Sequence, residues 1–256
     1  MLSGHSIEIK PQVYARIAGA IYLLIIIAGI FGEVFVRGKL VVAGDPSLTA
    51  HNIIANELLW RLGIAVDLIM QVCDIPCMLL LYLLLRPVSK NLALLALLFN
   101  LVQTAVLVLN KLNLLSAWAM VSRKGYLVNV EQDLSQAIGS LFIDLHGQGF
   151  GIGLIFFGFA CIIYGYLIFK SVYFPRAIGI LMQIAGVCYI INSFLLIINP
   201  AFANVLFPFI LLPPLFGELS LCLWLLLKGV DLVEWKKKHT DVACSKLRTT
   251  VNNIPE

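Results

Sequence analysis

Charge is scarce in this sequence. Its 256 residues include 18 Lys and Arg and 14 Asp and Glu, 12% in all, while 61% are hydrophobic; a soluble domain averages about 25% charged and roughly 45–50% apolar. So few polar side chains cannot cover a water-exposed globule, which excludes an ordinary soluble fold. Histidine is scarcer still, with four residues of which His146 alone lies near an apolar run. That excludes a bis-His haem and the multi-histidine ligand sets of membrane metallohydrolases. Of six cysteines, Cys73, Cys77, Cys161, Cys188 and Cys222 sit in apolar runs and Cys244 in the polar tail. None is spaced as C-x-x-C or as a zinc site, so they read as free thiols acting as small apolar residues. The sequence has no G-x-S-x-G elbow, P-loop or Rossmann glycine pattern, and Gly147-Gln-Gly-Phe-Gly-Ile-Gly opens an apolar helix instead of following a strand. No residue is therefore assigned to catalysis, and no metal or cofactor is expected. Basic residues fall in ones and twos until the C-terminus, which argues against nucleic acid and for the lipid bilayer as partner.

What the chain has instead is long apolar runs. Six are long enough for the roughly 20 helical residues that cross about 30 Å of hydrocarbon; they lie near 14–35, 60–85, 91–119, 146–169, 177–199 and 204–228. They lack period-two alternation, which excludes a barrel. The expected fold is an all-α, six-span bundle over 14–229, preceded by a short segment 1–13 and followed by a basic tail 230–256. After Ile17 to Phe31 comes Gly-Glu-Val-Phe-Val-Arg, not a small-x-small cleavage site, so the first run reads as a retained span.

Placing the N-terminus inside assigns twelve cations to cytoplasmic segments and five to outer ones, with Lys111 inside the third span. Both termini are expected in the cytoplasm and the chain in the inner (plasma) membrane. Asp45-Pro-Ser reads as the cap of a helix leading into span two. Gly151, Gly158 and Gly165, with Gly147 a turn earlier, and Gly179, Gly186 and Ser193 recur at intervals of seven. Seven residues is nearly two helical turns, so each set forms a small-residue seam, and the two seams are expected to face each other. Trp235 beside three lysines is expected to anchor at the headgroups.

The few polar residues within the spans define a candidate site. A charge at membrane depth costs about 2.5–3.5 kcal/mol even on the lenient insertion scale, so each needs an answer. Counting about 1.5 Å per residue from the nearest loop cation places Asp67 and Lys111 at the outer boundary, with Arg61, Glu33, Asp144 and His146 just above. Asp74 and Glu218 come out together near the midplane, with no cation at that level. Asp67, Gln71 and Asp74 share one face of span two; Asn100, Gln103, Thr104, Asn110 and Lys111 share one of span three. Spans two, three and six are therefore expected to enclose a polar cavity opening outward, with an Asp67–Lys111 ion pair. The candidate ligand-binding residues are Asp67, Gln71, Asp74, Asn100, Gln103, Lys111, His146 and Glu218. One reading is interhelical hydrogen bonding that fixes the bundle; another is that Asp74 and Glu218 hold a proton, a cation or a ligand amine.

Several strings resemble a known family: Arg16-Ile-Ala-Gly with Tyr22-Leu, Gly32-Glu33 through Val36-Arg37, Gly44-Asp45, Thr49-Ala50 with Asn52-Ile53, Glu57, Arg61 and Asp67-Leu68. Leu145-His146, Gly165-Tyr-Leu, Pro175-Arg176 with Gly179, and Glu218 through Leu223-Trp224-Leu continue the resemblance. These are similar to a bacterial integral-membrane family described only as a domain of unknown function, DUF4386. The resemblance runs from about Tyr14 to Gly229 and implies a multi-span bundle without implying an activity. Three functional classes stay open: binding, sensing or passage of a small cation, proton or amphiphile; an intramembrane lipid-modifying enzyme using the paired carboxylates; and a structural subunit. Alternating access from six spans without an inverted repeat would need a homo-oligomer.

Overall fold

The computed structural model describes residues 11–237, so the segment 1–10 and the tail beyond Lys237 lie outside the described residues. The helices are α1 (Pro11–Ile30), which continues through a π-helical stretch (Phe31–Arg37) into α2 (Gly38–Leu40), then α3 (Pro46–Ala55), α4 (Glu57–Leu85), α5 (Lys90–Ser122), α6 (Gln132–Lys170), α7 (Arg176–Ile198), α8 (Pro200–Ile210) and α9 (Leu212–Leu227). No strand occurs among the described residues. Local chemistry sets the starts: Asp45 accepts from the Leu48 amide at 2.8 Å with Pro46 in the first turn, and Asn199 does the same for Phe202 at 3.2 Å ahead of Pro200. Both are side-chain caps followed by a proline that lacks an amide the helix could not have used.

Among the described residues, five helices are long and apolar enough to cross a membrane: Pro11–Leu40, Glu57–Leu85, Lys90–Ser122, Gln132–Lys170 and Arg176–Ile198. The continuous sixth span expected over 204–228 is instead two helices broken at Leu211. Pro213 and Pro214 follow the break, and two missing amides would leave two carbonyls of the preceding turn unbonded in an unbroken helix; in the first turn of α9 they cost nothing. With 16 residues, α9 is about 24 Å long, short of the hydrocarbon thickness.

Six helices form a closed ring. α1 packs on α4, α4 on α5, α5 on α6, α6 on α7, α7 on α9, and α9 returns to α1. One end carries the turns at 86–90 and 171–175 (the turn end), the other α3 and the 3-10 turn Gly125–Asn129 (the loop end). The main core, including Ala15, Ala18, Leu84, Leu85, Leu167, Ile168, Leu221 and Leu225, fills the turn end. Val230 and Trp235 join it, so Trp235, expected as a headgroup anchor, is buried against protein. A second core around Val36, Ile53, Trp60 and Leu114 seals the loop end beneath α3.

The glycine seams meet as expected. A Cβ on Gly165 would lie 2.6 Å from the Gly179 carbonyl oxygen, and one on Gly158 would lie 2.8 Å from that of Gly186. Such backbone approach is the packing that small residues permit where lipid offers no hydrophobic drive between helices. Gly147 stands apart from its proposed seam and faces open space. Accordingly, Gly165→Leu should destabilise the protein by about 1–3 kcal/mol, the usual range for overpacking. Gly147→Ala should leave the thermal midpoint unchanged or slightly raised, both read by circular dichroism in detergent.

Candidate functional site

The ring encloses a cavity of about 480 Å³, lined by residues of α1, the π-helical stretch, α4, α5, α6, α7 and α9. Seven of the eight expected site residues line it: Asp67, Gln71, Asp74, Asn100, Gln103, Lys111 and Glu218. The eighth, His146, does not. Its ring nitrogen and its carbonyl both meet the side-chain amide of Asn110, at 3.0 and 2.8 Å, so the two residues satisfy each other between α5 and α6. Arg61 also stands away from the site, pairing with Glu57 at 3.6 Å and lying 5.0 Å over the Trp118 ring.

At the loop end, Asp67 is fully buried between two cations. Lys111 Nζ lies 2.8 Å and Arg37 Nη1 2.7 Å from the same carboxylate oxygen, and Arg37 Nε donates to Glu33 at 2.8 Å. The Asp67–Lys111 pair was expected from their shared height; Arg37 was not, because the sequence placed it in a loop. The helix runs past Phe31 as a π-helical segment, and that continuation carries Arg37 back over the cavity. Single π-helical turns in α-helices recur at functional sites.

Deeper in, the carboxylates have no cation. Asp74 accepts from Asn100 Nδ2 at 2.8 Å and from the Thr104 hydroxyl, while Asn100 also donates to Gln103 Oε1 at 3.1 Å. Glu218 accepts from the Tyr22 hydroxyl at 3.1 Å and from that of Tyr189. Neither is within ion-pair distance of a Lys, Arg or His among the described residues. Two further buried polar atoms on the lining, Gln71 Oε1 and the Tyr164 hydroxyl, have no hydrogen-bond partner. Pro76, two residues beyond Asp74, removes one amide from the α4 ladder. Tyr22, Thr104, Tyr164 and Tyr189 thus complete the site. Thr104 shares a helical face with Asn100, but nothing local separates the tyrosines from ordinary core aromatics.

The lining is otherwise apolar, with Ile25, Ile26, Leu154, Phe157 and Leu215 among its walls. An apolar chamber with a few converging polar groups is the usual form of a small-molecule site, and this volume lies within the usual range of roughly 300–1,000 Å³. The long apolar helices define a multi-pass helical membrane protein, and they surround a mostly apolar chamber. The chain belongs to the DUF4386 family, a domain of unknown function, which it matches over residues 17–229. An uncharacterised protein of the archaeon Archaeoglobus fulgidus is 31% identical over 165 residues, covering 64% of this chain and 81% of the relative. No solved structure matches.

The loop-end cluster is asymmetric, with one anion serving two cations. Asp67→Asn strands Lys111 and leaves Arg37 with Glu33 alone; Lys111→Met leaves the Arg37–Asp67 bridge intact. Removing one partner of a buried pair costs about 3–5 kcal/mol, so Asp67→Asn should lower stability by that order and Lys111→Met by clearly less. Unfolding of the purified variants in mixed micelles checks the order.

Proposed function

We propose that this protein binds a small organic cation in the chamber, as a receptor or carrier and not as an enzyme. The observation that carries this is the chemistry of Asp74 and Glu218: two carboxylates on the wall of one chamber whose partners, Asn100, Thr104, Tyr22 and Tyr189, are all neutral donors. Neutral donors satisfy oxygen lone pairs but leave the charge uncompensated, and at membrane depth that favours a positive guest. The free polar atoms of Gln71 and Tyr164 add an acceptor and a hydroxyl that a guest's N–H groups can use.

The same reading places the protein in the plasma membrane with both termini and the turn end in the cytoplasm, supported by the excess of Lys and Arg in the segments at that end. A cysteine at exposed Asn129, in the loop end, should then react with a membrane-impermeant maleimide on intact cells. One at exposed Asn91 should react after permeabilisation alone.

Binding is tested by calorimetry on the protein in nanodiscs against n-alkylamines from butylamine to dodecylamine. A hydrogen bond to a charged group contributes about 1.5–3 kcal/mol, so Asp74→Asn and Glu218→Gln should each weaken binding by roughly 10- to 100-fold. Affinities untouched by both substitutions would sink the proposal.

A further inference from the structure

The chamber's connection to its surroundings decides which cations can enter. At the loop end its roof is the Arg37–Asp67–Lys111 cluster, which ties the end of the first helix to α4 and α5. At the turn end its floor is packed core, with Cys77, Met78, Leu81 and Leu221 buried. The walls contributed by α4, α5, α6 and α7 are buried or half-buried. The apolar lining residues that are also exposed are Ile30 at 43% and Val34 at 59% on one side, and Leu212 at 46% and Leu215 at 44% on the other.

Those four mark a slot in the ring between the loop-end half of α1 and the start of α9, and the helix lengths explain it. α1 and α9 touch at Gly19, whose carbonyl accepts from Cys222 Sγ at 3.4 Å, and at Tyr22, which donates to Glu218. Beyond Tyr22 the first helix runs 15 residues to Arg37, about 22 Å, and follows α4 through Gly29 beside Met70 and Arg37 on Asp67. Beyond Glu218, α9 runs six residues to its start at Leu212, about 9 Å, and then breaks at Leu211. The first helix therefore outruns its neighbour on that side. Glu218 and its donor Tyr22 sit at the base of the slot, one turn from Leu215 and Ile26 respectively, so a polar head on the carboxylates is adjacent to an apolar exit at hydrocarbon depth.

Resting on the proposed binding of an organic cation, we propose that the occupant is a single-chain aliphatic amine taken sideways from the bilayer, its ammonium on Asp74 and Glu218 and its chain leaving between α1 and α9. A small hydrophilic ion has no use for an apolar side exit. A single alkyl chain fills the apolar walls and leaves its distal end among lipid tails.

The experiment uses the full chain in nanodiscs, with dodecylamine, butylamine and dodecanol as probes and protein-free nanodiscs subtracted for partitioning. Dodecylamine should bind at least tenfold tighter than butylamine, and dodecanol should not displace it. Filling the slot by Ile26→Trp or Leu215→Trp should collapse the ratio of the two amine affinities toward one. A dodecylamine carrying a diazirine at its chain end should label residues 25–34 and 211–216, a readout that needs no substitution. Equal affinity for the two amines, or labelling confined to residues 103–111 and 150–157, overturns the side exit while leaving amine binding intact. Displacement of dodecylamine by dodecanol overturns both, because the carboxylates would then not be reading the head.

Discussion

A charge placed in hydrocarbon has to be answered where it stands, because no water is at hand and the side chain cannot leave. This chain carries three acidic groups deep in its helices, Asp67, Asp74 and Glu218, and the arrangement of the bundle follows from answering them. Asp67, Gln71 and Asp74 lie on one face of α4, which must turn toward the face of α5 that carries Asn100, Gln103, Thr104 and Lys111. Glu218 must turn α9 so that Tyr22 of α1 and Tyr189 of α7 can reach it. With those rotations fixed, the apolar faces left over point to lipid, where the exposed Leu, Ile, Val and Phe side chains of every spanning helix are found.

Backbone packing then decides where the ring is tight and where it is loose. The Gly158–Gly186 and Gly165–Gly179 approaches draw α6 and α7 together, and Gly19 against Cys222 and Leu226 closes α1 on α9 at the turn end. Among the described residues, no comparable approach holds α1 to α9 toward the loop end. The chamber lies between the packed turn end and the Arg37 cluster, with Asp74 and Glu218 on its walls.

Much of this was legible in the sequence because it depends on spacing along single helices. The heptad-spaced glycines announced the α6–α7 seam, and counting from loop cations brought Asp67 to the height of Lys111, where the two side chains meet. What spacing does not show is where a helix stops when its end is neither capped nor charged. Arg37 read as a loop cation since nothing in Phe31-Gly-Glu-Val-Phe-Val-Arg signals a helix that continues by widening its turns. The break before α9 was open to reading, since Pro213 and Pro214 together would leave two carbonyls of an unbroken helix unbonded; mean apolarity across 204–228 obscured it. Tyr22 and Tyr189 were invisible for another reason: a tyrosine's role is set by what its hydroxyl meets, and that partner lies 196 residues away for one and 29 for the other.

The two acidic groups seven residues apart on α4 are answered in different ways. Asp67 has its charge cancelled by Arg37 and Lys111, and its geometry joins three helical segments; a guest would have to displace a cation to gain anything there. Asp74 and Glu218 have their hydrogen-bonding capacity met but their charge left over, an arrangement that adds little to the cohesion of the bundle beyond ordinary hydrogen bonds. Replacing buried charge by well-packed apolar side chains is often neutral or stabilising, so these groups orient the helices through directional hydrogen bonds more than they strengthen the bundle. Both stand on the chamber wall beside an amide oxygen and a hydroxyl without hydrogen-bond partners, the set of groups that the proposed positively charged occupant would meet.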